Sequence, residues 1–187
     1  MMKYQGSSLK GVINGGKTFL EFAVHLIEYG YFNPVVFSHD GFEFDRTKYA
    51  HVMIGFINLL SFLDTCGITL DTEVFAPDEN EAVLYKSIMP NDDGPSEIIK
   101  HYVLLEIDFT DLNIQNATTP EGCKDEDFAL VKIYLLLKTG AALSRRAIEV
   151  LLDKRLSDSE MITIRKRIEN ITGKKVIKRN DNSYEMR

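Results

Sequence analysis

Residues 157–173, SDSEMITIRKRIENITG, constrain local structure more than any other stretch of this chain. Ser157 and Glu160 have the S-x-x-E spacing of a capping box, in which each side chain takes up a backbone N–H at the start of a helix. Behind them Met161, Ile164, Ile168 and Ile171 recur at steps of three, four and three, which is one face of a helix. Gly173 can close that helix in the left-handed conformation. The phase leaves Thr163, Lys166, Arg167 and Asn170 pointing away from the apolar stripe, with Arg165 on its flank.

The neighbouring segments extend the pattern. DFALVKIYLLLKTG, ending at Gly140, predicts a strongly apolar helix. SRRAIEVLLDKR predicts a second, with Ser144 as its cap and Ala147, Ile148, Leu151 and Leu152 inward. After Gly173, KKVIKRNDNSYEMR predicts a hairpin that turns through Asn180, Asp181 and Asn182. Three helices followed by a two-stranded hairpin make a winged helix-turn-helix. Its third helix would lie in the major groove, polar face toward the bases. The residues expected to touch DNA are Thr163, Arg165, Lys166, Arg167 and Asn170 on that helix, and Arg145 and Arg146 at the start of the second. Lys174, Lys175, Lys178 and Arg179 would meet the DNA backbone from the wing.

SRRAIEVLL followed by MITIRKRIENITGKKVIKRNDNSYEMR resembles the DNA-binding domain of OmpR-type winged-helix regulators. That family has a similar Ser-Arg opening to its second helix, a comparable isoleucine and basic pattern in its recognition helix, and a short wing ending in an aromatic. The resemblance covers residues 144–187 and implies a transcription regulator that binds double-stranded DNA. The family's wing carries glycines where this chain has Asn182 and Ser183. Residues 1–112 lack the opening apolar strand and paired acidic residues of the receiver domain that such regulators often carry.

Charge divides the chain in the same place. Residues 124–187 hold 15 Lys and Arg against 10 Asp and Glu, net +5, and the rest holds 7 against 18, net −11. A basic part joined to an acidic one often meets nucleic acid. NIQNATTPEGCKDED, with Pro120 and Gly122, reads as a linker. The expected organisation is therefore an acidic, helix-rich domain over 1–112, a linker over 113–126 and the winged helix over 127–187. The fold class is mainly α, in an α+β arrangement. In the first part, spacing predicts helices over 18–29 and over about 46–66, the second capped by Asp45 or Thr47 and closed by Gly67. Short extended segments should surround a His39-Asp40-Gly41 turn, and ITLDTEVF should be a strand. Residues 96–108, SEIIKHYVLLEID, are open between helix and strand, with helix favoured at the start.

GVINGGKT matches the phosphate-loop pattern through Gly11, Gly16, Lys17 and Thr18. Such a loop needs a buried strand before the glycines and a helix after them. The polar KYQGSSLK does not predict that strand, so the expectation is a glycine-rich loop before a helix, with no cofactor. Glu106 and Asp108 would share a face of a strand, as paired metal-binding carboxylates do, but no basic partner follows them. His39, His51 and His101 stand alone, and Cys66 and Cys123 match no metal spacing. No catalytic residues or metal ligands are predicted, and no enzyme. The longest apolar run, 50–63, falls short of the roughly 20 residues of a membrane span, and MMKYQGSSLK has no signal-peptide core; the expectation is a cytoplasmic protein. Besides DNA, the expected partner is a second copy or another protein, met through the acidic first part. The alternative to DNA binding is a non-catalytic subunit that uses the winged helix as a protein-interaction module, as accessory subunits of SMC-type ATPase machines do. A phosphate-loop nucleotide-binding protein is the third reading.

Overall fold

The computed structural model describes residues 9–40, 43–75 and 101–187. Its first element is helix α1, Leu9–Tyr29. It starts well before the expected residue 18, and in sequence Leu9, Val12 and Ile13 continue the helical spacing of Phe19, Leu20, Ala23 and Ile27. Leu20, Phe22, Ala23, Val24 and Leu26 are buried. Strand β1, Tyr31–Phe32, a 3-10 turn over Pro34–Phe37, and the short strands β2, His39–Asp40, and β3, Glu43–Phe44, lead to helix α2, Arg46–Thr65. The tip between β2 and β3 lies outside the described residues. Asp45 caps α2 by accepting from the Lys48 amide at 3.0 Å. Gly67 follows α2 with φ +76°, and a Cβ there would run into the Asp111 carbonyl oxygen. Glycine is thus required twice over at this residue.

Strand β4, Thr69–Phe75, pairs antiparallel with β5, His101–Asp108, from Thr69↔Asp108 to Phe75↔His101, with a bulge after Asp71. β1 pairs with the other edge of β5, so the sheet order is β1-β5-β4. Residues 101–108 are therefore a strand, favoured by aromatic and β-branched side chains beside a pairing partner. Residues 96–100, where the sequence favours helix, lie outside the described residues.

Residues 113–126 are not a free tether. The Asn113 amide donates to the Cys66 carbonyl at 2.8 Å, and the Thr118 amide to Thr65 Oγ1 at 2.9 Å. Asn58 Nδ2 meets Cys123 Sγ at 3.4 Å. Ile114, Ala117 and Cys123 pack on the core. A segment polar enough to read as a linker is held down by backbone and side-chain hydrogen bonds that its composition does not advertise.

Helix α3, Asp125–Lys138, buries Phe128, Leu130, Val131, Ile133, Tyr134 and Leu137. These residues surround the helix axis, so α3 must be enclosed on nearly every side. The Phe128 ring lies 4.4 Å from Phe19 of α1 and 4.3 Å from Phe62 of α2. The buried side chains of both parts of the chain form one hydrophobic cluster, so the expected division into 1–112 and 127–187 meets across a continuous core. Strand β6, Leu143–Ser144, helix α4, Arg145–Leu151, helix α5, Asp158–Thr172, and strands β7, Val176–Lys178, and β8, Ser183–Met186, complete a mixed α+β protein. No helix among the described residues is long and apolar enough to cross a membrane.

Replacing Phe128 by Ala should cost about 3–5 kcal/mol, the usual range for a large aromatic in a core. The loss should appear in urea denaturation as one cooperative transition shared by the intact chain's helical and tyrosine signals. Two separated transitions would show that the halves fold independently.

Candidate nucleic-acid interface

Helix α5 forms as the sequence predicts. Ser157 Oγ accepts from the Glu160 amide at 3.3 Å, and Glu160 Oε2 accepts from the Ser157 amide at 2.7 Å. Lys154 adds an ion pair to Glu160 at 3.0 Å. The Ser157 amide and Lys154 pull the Glu160 carboxyl from 4.5 down to about 2. Met161, Ile164 and Ile168 are buried, and Gly173 caps the far end with φ +69°. Ile171 is only half-buried, while Thr172 is buried and returns its hydroxyl to the Ile168 carbonyl at 2.7 Å.

Helix α4 is capped by Ser144, which accepts from the Ala147 amide at 3.1 Å. It ends at Leu151, earlier than expected. Glu149 reaches past its end to accept from the Leu156 amide at 2.9 Å, which fixes the turn into α5. That amide holds the Glu149 carboxyl below the usual range. The hairpin is as predicted, with Asn182 at φ +62° in its turn. β6 adds a third strand against β8 to give the order β6-β8-β7. Two residues before a helix carry too little pattern to be read as a strand.

The eleven residues expected to touch DNA divide by what holds them. Arg145 is tied to Asp158 at 2.6 Å, Glu149 at 3.6 Å and the Leu156 carbonyl. Asp158 above all raises its pKa. Arg165 donates to the Val176 carbonyl through Nε at 3.1 Å and a terminal nitrogen at 2.5 Å. It also lies 5.6 Å from the Tyr184 ring centre, so it braces the hairpin against α5. Lys174 pairs with Glu28 of α1 at 3.0 Å. Arg146 lies 3.6 Å from Glu149, and Arg179 lies 3.7 Å from Glu185. Thr163 returns its hydroxyl to the Ser159 carbonyl at 2.9 Å, although the residue is exposed. Lys166, Asn170, Lys175 and Lys178 are exposed, and Arg167 is half-buried. Among the described residues no ion pair holds Lys166, Arg167, Lys175 or Lys178. Ile162, on the same outward side of α5 as Lys166, is 50% exposed.

Glu28 is the residue that sequence reasoning missed. It accepts from the Tyr134 hydroxyl at 2.8 Å and pairs with Lys138 at 2.9 Å and Lys174 at 3.0 Å. Burial alone would raise its pKa, but the hydrogen bonds from Lys138, Lys174 and Tyr134 outweigh burial and hold the carboxyl below the usual range. Burial and the Glu28 carboxylate together push the Tyr134 hydroxyl up. No local signal could have found this cluster, because Tyr134 and Lys174 lie 106 and 146 residues away.

The phosphate-loop expectation changes form. Gly11, Gly16, Lys17 and Thr18 lie inside the continuous helix α1, where successive amides past the first turn bond to carbonyls four residues back. Neither a phosphate cradle nor a glycine loop exists there. Glu106 and Asp108 are exposed on β5, but Asp108 accepts from Thr110 Oγ1 at 2.5 Å and the Thr110 amide at 2.8 Å, which close a turn and lower its pKa. Among the described residues no three acidic, His or Cys side chains converge as metal ligands. Cys66 is buried, which pushes its thiol up to about 12. An apolar groove of about 480 Å³ runs between residues 112–115 and α4, walled by Leu112, Ile114, Leu136, Leu143 and Val150. Comparison with protein-family models, curated proteins and solved structures finds no match.

Glu160 is depressed in the folded state, so its contribution is full above 4.5 and is lost as pH falls toward about 2. Glu160→Gln should flatten that acid loss. The wild-type melting temperature should drop more than the variant's between pH 7 and pH 3. Equal drops would mean that the capping box does not persist in solution.

Proposed function

We propose that this chain is a DNA-binding protein, a transcription regulator that reads duplex DNA with α5 of a winged helix formed by residues 125–187. The order helix, short strand, helix, helix and hairpin supports this reading, as does a sheet in which the first strand pairs with the last. One observation carries it: every acidic side chain of α5 is engaged within the protein. Asp158 pairs with Arg145. Glu160 closes the capping box. Glu169 accepts from the Val176 amide at 2.8 Å. The helix therefore presents Lys166, with Arg167 beside it, and Lys175 and Lys178 follow on the wing, without anions of its own to neutralise them. Cations left in that state attract phosphate and release counterions on binding. Thr163 and Asn170 offer the short polar groups that read base edges.

A protein-interaction module is the second reading, favoured by the exposed Ile162 and the apolar groove beside α4. In that reading the chain is a non-catalytic subunit of a larger assembly. Within the DNA reading, an exposed isoleucine among polar side chains suits a thymine methyl group.

Duplex DNA titrated with salt separates the two. Binding should weaken steeply with salt. Lys166→Ala with Arg167→Ala should weaken it by about 1–3 kcal/mol at a preferred site and flatten the salt slope by roughly one for each phosphate no longer neutralised. The fold should be unchanged, because neither side chain supports the core stripe. Lys174→Ala should instead lower stability more than DNA affinity, because Glu28 already neutralises that cation. Affinity untouched by the Lys166 and Arg167 changes would remove α5 as the reading helix.

A further inference from the structure

Helix α2 carries no Asp, Glu, Lys or Arg between Lys48 and Asp64. One face of it packs into the core through Tyr49, Val52, Phe56, Leu59, Phe62 and Leu63. The opposite face holds Thr47, Ala50, Ile54, Ile57, Ser61 and Asp64, and all six are exposed. Ile54 is 58% and Ile57 54% exposed. These residues follow one another at steps of three, four, three, four and three, the spacing of a coiled-coil seam. Its centre, from Ala50 to Ser61, carries no charge and is built on two exposed isoleucines, which suits a helix–helix contact.

The order of the side chains along the seam reads alike from both ends. A polar residue, a small residue and an isoleucine are followed by an isoleucine, a small residue and a polar residue. That symmetry suits a two-fold contact, in which the same patch meets itself. In an antiparallel pair centred between the isoleucines, Ile54 faces the partner's Ile57. Ala50 then faces the partner's Ser61, and Thr47 the partner's Asp64. The ends are complementary as well. Antiparallel packing sets each Asp64 beside the N-terminal turn of the partner helix, where the helix dipole favours a carboxylate. Parallel packing would set Asp64 against Asp64. Small residues flanking the isoleucines let the two helices approach over a seam about 25 Å long.

We propose that the exposed face of α2 is a homodimer interface, formed by antiparallel packing of α2 on α2 of a second copy. The interface is independent of DNA binding and is measured without DNA. Sedimentation of the full chain across the micromolar range should show a monomer–dimer equilibrium. Ile54→Asp with Ile57→Asp should weaken dimerisation by about tenfold or more, as expected for central residues of an interface. The melting temperature of the monomer should hold, because both side chains are largely outside the core. A second measurement tests the register and does not depend on that variant. Chains carrying Cys123→Ser with Ala50→Cys are mixed with chains carrying Cys123→Ser with Ser61→Cys, and the mixture is oxidised. Disulfide-linked heterodimers should predominate over either homodimer. A wild-type chain that stays monomeric would overturn the proposal. So would a dimer indifferent to the aspartates, or cross-linking of the Ala50→Cys chain to itself in preference to the mixed pair.

Discussion

The rest of the structure depends on Phe128, the ring that lies between Phe19 and Phe62. It belongs to the basic part of the chain, and its two neighbours belong to the acidic part. Aromatic side chains bury more apolar area than any others, and their ring contacts fix geometry as well as energy. Once Phe128 is seated, α3 is enclosed by α1, α4 and β8, with Phe62 of α2 against its ring, and its remaining apolar side chains have nowhere else to go. The polar stretch ahead of α3 must then lie along the surface that α2 leaves, where Thr65 and Cys66 take up its amides. What composition divides into two parts is joined by one core.

That union decides what the cations do. A basic segment of net +5 looks uniform in sequence, but its charges have different tasks. Arg145 ties the start of α4 to the start of α5. Arg165 ties α5 to the hairpin through a carbonyl and the Tyr184 ring. Lys138 and Lys174 converge on Glu28, which lets α1 hold the junction between α5 and the hairpin. A carboxylate with three donors around it offsets its own burial, which a single lysine could not do as well. Lys166, Arg167, Lys175 and Lys178 then stand apart from the cations used in construction. They support the proposed role because the fold leaves them over.

Local pattern carried far in this chain. The capping box at Ser157, the Gly173 terminator, the Ser144 and Asp45 caps and the hairpin turn at Asn182 all stand where their chemistry places them. Each is decided within a few residues, so neighbouring sequence suffices to read it. The failures have a common cause. The glycines at 11 and 16 suggest a loop, and the helix running through them is a cooperative outcome of the longer apolar stripe. β6 is two residues long and exists because β8 lies beside it. The segment 113–126 looks unattached because its partners are carbonyls and hydroxyls of α2, which carry no signal in its own composition. The outward phase of α5 was legible, but the engagement of Arg145, Arg165 and Lys174 was not, since a basic residue type is the same whether it faces water or a carboxylate.

By itself the sequence determined the helices of the basic part, their caps, the hairpin and the side of α5 that faces outward, because periodicity and capping act over one or two helical turns. The tertiary structure alone decided that both parts share one core, that Glu28 collects two lysines and a tyrosine, and which cations remain unpaired. It also decided that the seam of α2 centred on Ile54 and Ile57 lies on the outside. An apolar stripe in sequence is the same whether it meets the core or the surface. Which of the two faces of α2 turns inward is settled only when α1, α3 and the β1-β5-β4 sheet have taken their places around it.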